Sequence, residues 1–173
     1  MEKIFTTKRL CRAGVIAALY AALTYVFAPF AFGPFQIRPA EALCILPLFF
    51  IEAVPALWVG CMLANLSSPY MFWDVGIGSL TTLFAAIATY MVGRFFKKDG
   101  LKISIGGIFP VLFNAFIIPL IIVFVFGDVG GANNQITAYF TFVLWIFLSQ
   151  SAWVYGLGTP LYFKLKKGVV KKI

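Results

Sequence analysis

The chain contains no histidine, so it lacks the commonest metal ligand and the side chain best suited to moving protons near neutral pH. Its three cysteines, Cys11, Cys44 and Cys61, are scattered and odd in number. They form neither a metal-ligand spacing nor a disulfide framework and read as buried, inert thiols. Charge is scarce, at 12% of 173 residues, about half of what a soluble domain carries. No Gly-x-x-x-x-Gly-Lys-Ser/Thr loop is present, so the chain is not expected to hydrolyse ATP itself. Nor is there a nucleophile set beside a base, a pair of intramembrane carboxylates or a zinc motif. Neither an enzyme nor a cofactor is expected. A carrier would have to draw its energy from a partner or from an ion gradient.

What the chain has in excess is apolar surface: 62% of its residues are hydrophobic, 18% are aromatic, and the mean hydropathy is +0.96. Several runs are long enough to cross a hydrocarbon layer of roughly 30 Å. The expectation is an all-α integral membrane protein forming one transmembrane domain over residues 1–173, with the lipid bilayer as its solvent.

The net charge of +8 falls into three groups: Lys3, Lys8, Arg9 and Arg12; Arg94, Lys97, Lys98 and Lys102; and Lys164, Lys166, Lys167, Lys171 and Lys172. Each flanks an apolar run, as cytoplasmic segments do under the positive-inside rule. None of these short segments supplies the folded basic face that nucleic acid would need. The remaining cation, Arg38, is then alone on the outer side.

The first span is expected from about Leu10 to Pro29. It is followed by large residues and Pro29 instead of a small-residue cleavage site, so it reads as a retained helix. The loop Phe30–Arg38 comes next, then one apolar tract over residues 41–66. Undivided, the tract gives five spans and leaves the later basic groups outside. Divided at Glu52-Ala53-Val54-Pro55, it gives six spans with every basic group inside, and Pro55 suits the first turn of a new helix. The division is preferred, with both termini cytoplasmic. An outer loop Ser67–Trp73, a span Asp74–Val92, an inner loop Arg94–Lys102, a span Ile103–Phe126, an outer loop Gly127–Gln135 and a span Ile136–Phe163 complete the chain. No internal repeat is visible.

Few polar side chains interrupt the spans, and each has a structural and a functional reading. Glu41 either caps a helix N-terminus or binds a ligand that carries donors. Arg38 either pairs with Glu41 or the ligand, or is a plain interfacial cation. Gln36 reads as a solvated loop residue, Asp74 as an N-cap and Asn65 as a cap near a helix end, each with contact to a substrate as its functional reading, and Glu52 as a solvated charge at the inner turn. Asn114 and Gln150 fall in mid-span and need partners, supplied either by another helix or by a ligand in a shared cavity. Trp73 and Trp153 belong to an interfacial aromatic belt or stack on a flat heterocycle. Ala13, Ala17 and Ala21 repeat every fourth residue beside Gly14, Ala18 and Ala22. That flat stripe serves packing within the chain or the docking of a separate membrane subunit.

The stretch from Gly33 to Leu43, Gly-Pro-Phe-Gln-Ile-Arg-Pro-Ala-Glu-Ala-Leu, followed by Leu46-Pro47, Ala64-Asn65-Leu66-Ser67-Ser68-Pro69-Tyr70 and Asp74, resembles the QueT family of queuosine-precursor transporters. The resemblance implies a six-helix substrate-binding S component of an energy-coupling factor (ECF) transporter. Such a component binds its ligand near the outer face under the loop after helix one, and docks on a transmembrane coupling subunit that associates with two ATPase subunits. It further implies a deazaguanine ligand, preQ1 or preQ0, and a docking role for Ala13, Ala17 and Ala21. A guanine-like edge would offer its exocyclic amine and ring N–H to Glu41. Its carbonyl would take a donor from Arg38, Gln150 or Asn114, and an aminomethyl cation would turn to Asp74 or an aromatic face. The rival readings are an S component for another vitamin-like heterocycle and a stand-alone ion-coupled secondary carrier.

Overall fold

A computed structural model describes residues 6–32 and 36–170, with side chains to residue 168. Helix α1 spans Thr7–Val26 and starts where Thr6 accepts a hydrogen bond from the Arg9 N–H. One turn, α2 (Ala28–Ala31), follows with Pro29 in its first turn. A 3-10 helix, Pro39–Leu48, is succeeded by α3 (Ala53–Asn65), α4 (Met71–Phe95), α5 (Asp99–Val125) and α6 (Gln135–Gly168). The described residues contain no strand.

Four of these helices, α1, α4, α5 and α6, are long and apolar enough to cross a membrane. Six spans were expected, two of them short, and the short pair is the tract over residues 41–66. The chain does break just before Pro55, but the two pieces are only ten and thirteen residues long. At a rise of about 2.0 Å per residue for a 3-10 helix and about 1.5 Å for an α-helix, each reaches only about 20 Å.

The 3-10 helix is the centre of the molecule. All ten of its residues are buried, and it packs against α1, α3, α4, α5 and α6. Ile45, Leu46, Pro47 and Leu48 continue the greasy surface on every side, which suits a helix with no face toward solvent. Glycine lets neighbouring backbones come close. A Cβ on Gly60 would lie 2.9 Å from the Ala17 carbonyl oxygen and 2.9 Å from the Tyr20 Cβ, so α1 and α3 nearly touch there.

That contact divides the small-residue stripe of α1. Ala17 and Ala21 are buried at 8% and 7% exposure, Ala17 with its backbone against Gly60 of α3. Ala13 is half-buried, and Gly14, Ala18 and Ala22 are exposed.

The basic groups gather at one end of the bundle. Arg12 Nη1 lies 2.5 Å from Glu52 Oε1, and its guanidinium sits 4.2 Å from the centre of the Phe50 ring. Lys166 pairs with Asp99, which also accepts from the Tyr162 hydroxyl at 2.8 Å. Glu52 is therefore not a solvated loop charge; its side chain is 10% exposed and tied to α1. The Arg12 side chain is 35% exposed, so solvent screens the pair and a double-mutant cycle with Arg12→Ala and Glu52→Ala is expected to give a coupling of only about 0.5 kcal/mol in thermal unfolding. Among the cysteines, Cys44 and Cys61 are buried, but Cys11 is exposed on α1.

Candidate functional site

The opposite end holds a concentration of buried polar groups. Arg38 precedes the 3-10 helix and is only 4% exposed, so it is no interfacial cation. Its Nη2 donates to Asn65 Oδ1 at 2.5 Å. Asn65 closes α3, and its Nδ2 in turn donates to the Asp74 carbonyl oxygen at 2.7 Å. That carbonyl opens a π-turn, Asp74–Gly78, and also accepts from the Ser79 hydroxyl at 3.3 Å. The Asp74 carboxylate accepts from the Ser68 hydroxyl. Arg38, Asn65, Ser68, Asp74 and Ser79 thus form one network joining the 3-10 helix, α3 and α4.

Three sequence readings change here. Asp74 is not an N-cap: α4 begins at Met71, and the carboxylate is buried within its first turns. Asn65 does more than end a helix, since its amide bridges two other elements. Gln36 is not solvated. It is 4% exposed and sits at φ 42°, a left-handed conformation that costs about 1 kcal/mol or more in a non-glycine residue and needs surrounding support. The Ser149 hydroxyl, on α6, supplies some by donating to the Gln36 carbonyl at 2.9 Å.

Glu41 is fully buried. Its Oε1 accepts from the Tyr20 hydroxyl at 2.6 Å and its Oε2 from the Cys44 thiol at 3.1 Å. Arg38 acts on it electrostatically, but the two form no ion pair among the described residues. A carboxylate has about four acceptor positions, and a thiol is a weak donor. Glu41 is therefore a buried carboxyl group with acceptor capacity to spare, an arrangement that is costly unless something else completes it.

The same region holds orphaned polar atoms. Gln36 Oε1, Arg38 Nε and both amide atoms of Gln150 are buried with no hydrogen-bond partner. Gln150 follows Ser149, which binds Gln36, and Gly158 two turns on lies against Ala42, where a Cβ would come 3.2 Å from the carbonyl oxygen. Between those two fixed points α6 runs beside the first half of the 3-10 helix, the half that carries Glu41. Buried unsatisfied groups are rare in folded proteins and call for a water, an ion or a ligand.

The other candidates stand further off. Asn114 is 5% exposed, one turn before Ile118, whose Cδ1 would meet a Cβ on Gly78 at 3.7 Å. It thus lies on the α5 face that looks toward the π-turn of α4. Trp73 is 42% exposed and Trp153 half-buried; neither joins the hydrogen-bonded network. Sequence reasoning missed Tyr20, Cys44, Ser68 and Ser79. Tyr20 was the most legible, a polar tip three residues beyond Ala17 on a small-residue face. Cys44 shares a face with Glu41 because a 3-10 helix repeats every three residues. Gly33, Pro34 and Phe35 of the quoted motif, and Lys3, Lys171 and Lys172 of the basic groups, lie outside the described residues.

The fold and this enclosed polar cluster define a helical integral membrane protein that keeps a set of hydrogen-bonding groups away from lipid. A family model for the QueT transporter matches residues 10–167, and the chain belongs to that family. A relative from Lactococcus lactis subsp. cremoris (strain MG1363), the queuosine precursor transporter QueT, is 34% identical over 88 residues, which is 49% of this chain and 51% of the relative. The match thus spans about half the length of that curated relative. No solved structure matches the chain. Membership in a transporter family speaks for transport, not catalysis.

Proposed function

We propose that the chain is the substrate-binding S component of an ECF transporter and captures a queuosine precursor, preQ1 or preQ0, at the end opposite the basic groups. On this reading the 3-10 helix and α3 complete six crossings with the four long helices. Both termini are then cytoplasmic, and the polar cluster faces the exterior. The bicyclic ligand gives its exocyclic amine and ring N–H to Glu41, and the Gln150 amide meets its carbonyl and ring edge. Arg38 Nε is a second donor, and Asp74 with Asn114 flanks the substituent. Trp73 and Trp153 lie outside the first contacts. A transmembrane coupling subunit, carrying two ATPases, docks on the α1 face that Ala13 shares with the exposed Gly14 and Ala18.

The observation that carries the proposal is Gln150: a fully buried amide on a membrane helix with neither its donor nor its acceptor used. A ligand with a complementary edge removes that penalty when it binds, and analogues lacking the edge leave it in place. Thermal-shift screening of the detergent-solubilised protein with preQ1, preQ0, guanine and common vitamins tests the ligand. A precursor should raise the melting temperature in a concentration-dependent way. Gln150→Leu should keep or raise the unliganded melting temperature, because an unpaired amide has been removed, while abolishing the ligand-induced shift. No shift with any deazaguanine would overturn the ligand assignment. Uptake in vesicles free of ATPases, abolished by an uncoupler, would overturn the S-component role.

A further inference from the structure

Glu41 is held from two sides, by elements far apart in the sequence. The Tyr20 hydroxyl of α1 donates to Oε1 at 2.6 Å, and the Cys44 thiol of the 3-10 helix donates to Oε2 at 3.1 Å. Tyr20 and Glu41 are fully buried and Cys44 is 4% exposed, so bulk water does not compete for these bonds. Tyr20 is itself fixed. Its Cβ stands 2.9 Å from where a Cβ on Gly60 would lie, and its carbonyl oxygen accepts from the Thr24 hydroxyl at 3.0 Å. The Tyr20–Glu41 bond is at the short end of the range for an O–H donor. Cys44 reaches Glu41 because residues three apart eclipse in 3-10 winding. One donor therefore sits on each oxygen, and no other side-chain donor meets Glu41 among the described residues.

A glutamate side chain turns about three bonds, and holding it still costs ordering entropy that a ligand would otherwise have to meet. A carboxylate offers two acceptor positions on each oxygen. With one taken on Oε1 and one on Oε2, one remains on each, the pattern that meets two parallel N–H donors. We propose that Tyr20 and Cys44 are positioning residues that lock Glu41 with one open acceptor on each oxygen. This lock sets the preference for a ligand edge with two adjacent donors over an edge with one. The inference rests on the reading of Glu41 as the acceptor for the ligand's donor edge, and it adds how that preference is built. Were the two bonds only a join between α1 and the 3-10 helix, their loss would weaken every ligand alike. With the lock gone, the carboxyl group turns: a single donor follows it, and a pair does not.

Isothermal titration of the full chain in detergent tests this with preQ1 and its 2-deamino analogue, which keeps the ring N–H and lacks the exocyclic amine. The unaltered protein should prefer preQ1 by about a hundredfold. Tyr20→Phe keeps the Cβ packed against Gly60 and removes only the hydroxyl. It should weaken preQ1 about tenfold and the analogue about twofold at most, so that the preference narrows roughly fivefold or more. Cys44→Ala should narrow the preference about threefold, a thiol being the weaker donor. Cys44→Ser, which restores a donor, should return it to that of the unaltered protein. Because Cys44→Ala leaves the Tyr20 bond in place, it decides the matter even if Tyr20→Phe does not fold. An unchanged preference in either folded variant, whether both ligands weaken equally or neither does, would overturn the lock and leave Glu41 as the acceptor. No binding of preQ1 to the unaltered protein would instead overturn the ligand reading and the lock together.

Discussion

Glu41→Gln is expected to weaken deazaguanine binding by about a thousandfold while leaving the protein folded. Two charge-assisted hydrogen bonds from the ligand to the carboxylate, at about 1.5–3 kcal/mol each, account for a loss of that size. The substituted amide keeps the volume of Glu41 and still offers an oxygen to the Tyr20 hydroxyl, so the join between α1 and the 3-10 helix survives. Half of the new side chain, however, presents N–H donors to a ligand edge that is itself made of donors. Isothermal titration on the purified protein is the measurement. Binding within tenfold of the unaltered protein would remove Glu41 from the site.

Gly93→Ala should have the largest effect on stability. A Cβ at Gly93 would lie 2.6 Å from the Leu48 carbonyl oxygen and 2.8 Å from the Leu48 Cα. These are backbone atoms at the end of the 3-10 helix, and no rotamer change can move them away. Either α4 or the central helix must shift, and overpacking of this kind costs about 3 kcal/mol. For a chain of this length, the melting temperature should fall by roughly 10 °C. Gly106→Ala is the matched control. Its Cβ would come 2.8 Å from Leu48 Cδ2, the mobile tip of a side chain, and the loss should stay below about 1 kcal/mol. Equal melting of Gly93→Ala and the unaltered protein would show that the approach of α4 to Leu48 is looser than described.

The order of helices and the place where the long apolar tract divides were legible because they rest on signals that tertiary packing does not override. A run of apolar residues must be helical in lipid, and charge must stay out of it. Pro55 and the polar Glu52 marked the break, and α3 starts at Ala53. The winding of Pro39–Leu48 was not legible, since nothing local separates a ten-residue 3-10 helix from a short α-helix. That winding brings Cys44 to Glu41.

Of the site, the residue types were readable but not their company. Arg38, Asn65 and Asp74 were each singled out, yet their union depends on the crossing of three helices and on a π-turn that exposes the Asp74 carbonyl. The bland readings of Gln36 and Arg38 supposed contact with solvent, from which both are almost wholly shielded, and that of Asp74 supposed a helix start that lies three residues earlier, at Met71. The alanine stripe had been read as packing within the chain or as a docking face. Its spacing announced a close helix contact, and Ala17 makes that contact with Gly60 inside the same chain.

The orphaned amide of Gln150 and the spare acceptor capacity of Glu41 are assigned to a single ligand, and the proposed function depends on that assignment. A structure of the protein with preQ1 bound tests it most directly. It should show the flat bicyclic ring between the 3-10 helix and α6, with Glu41 accepting from its donor edge and Gln150 bonded to its rim. A ring bound elsewhere, with Gln150 still unpartnered, would contradict it.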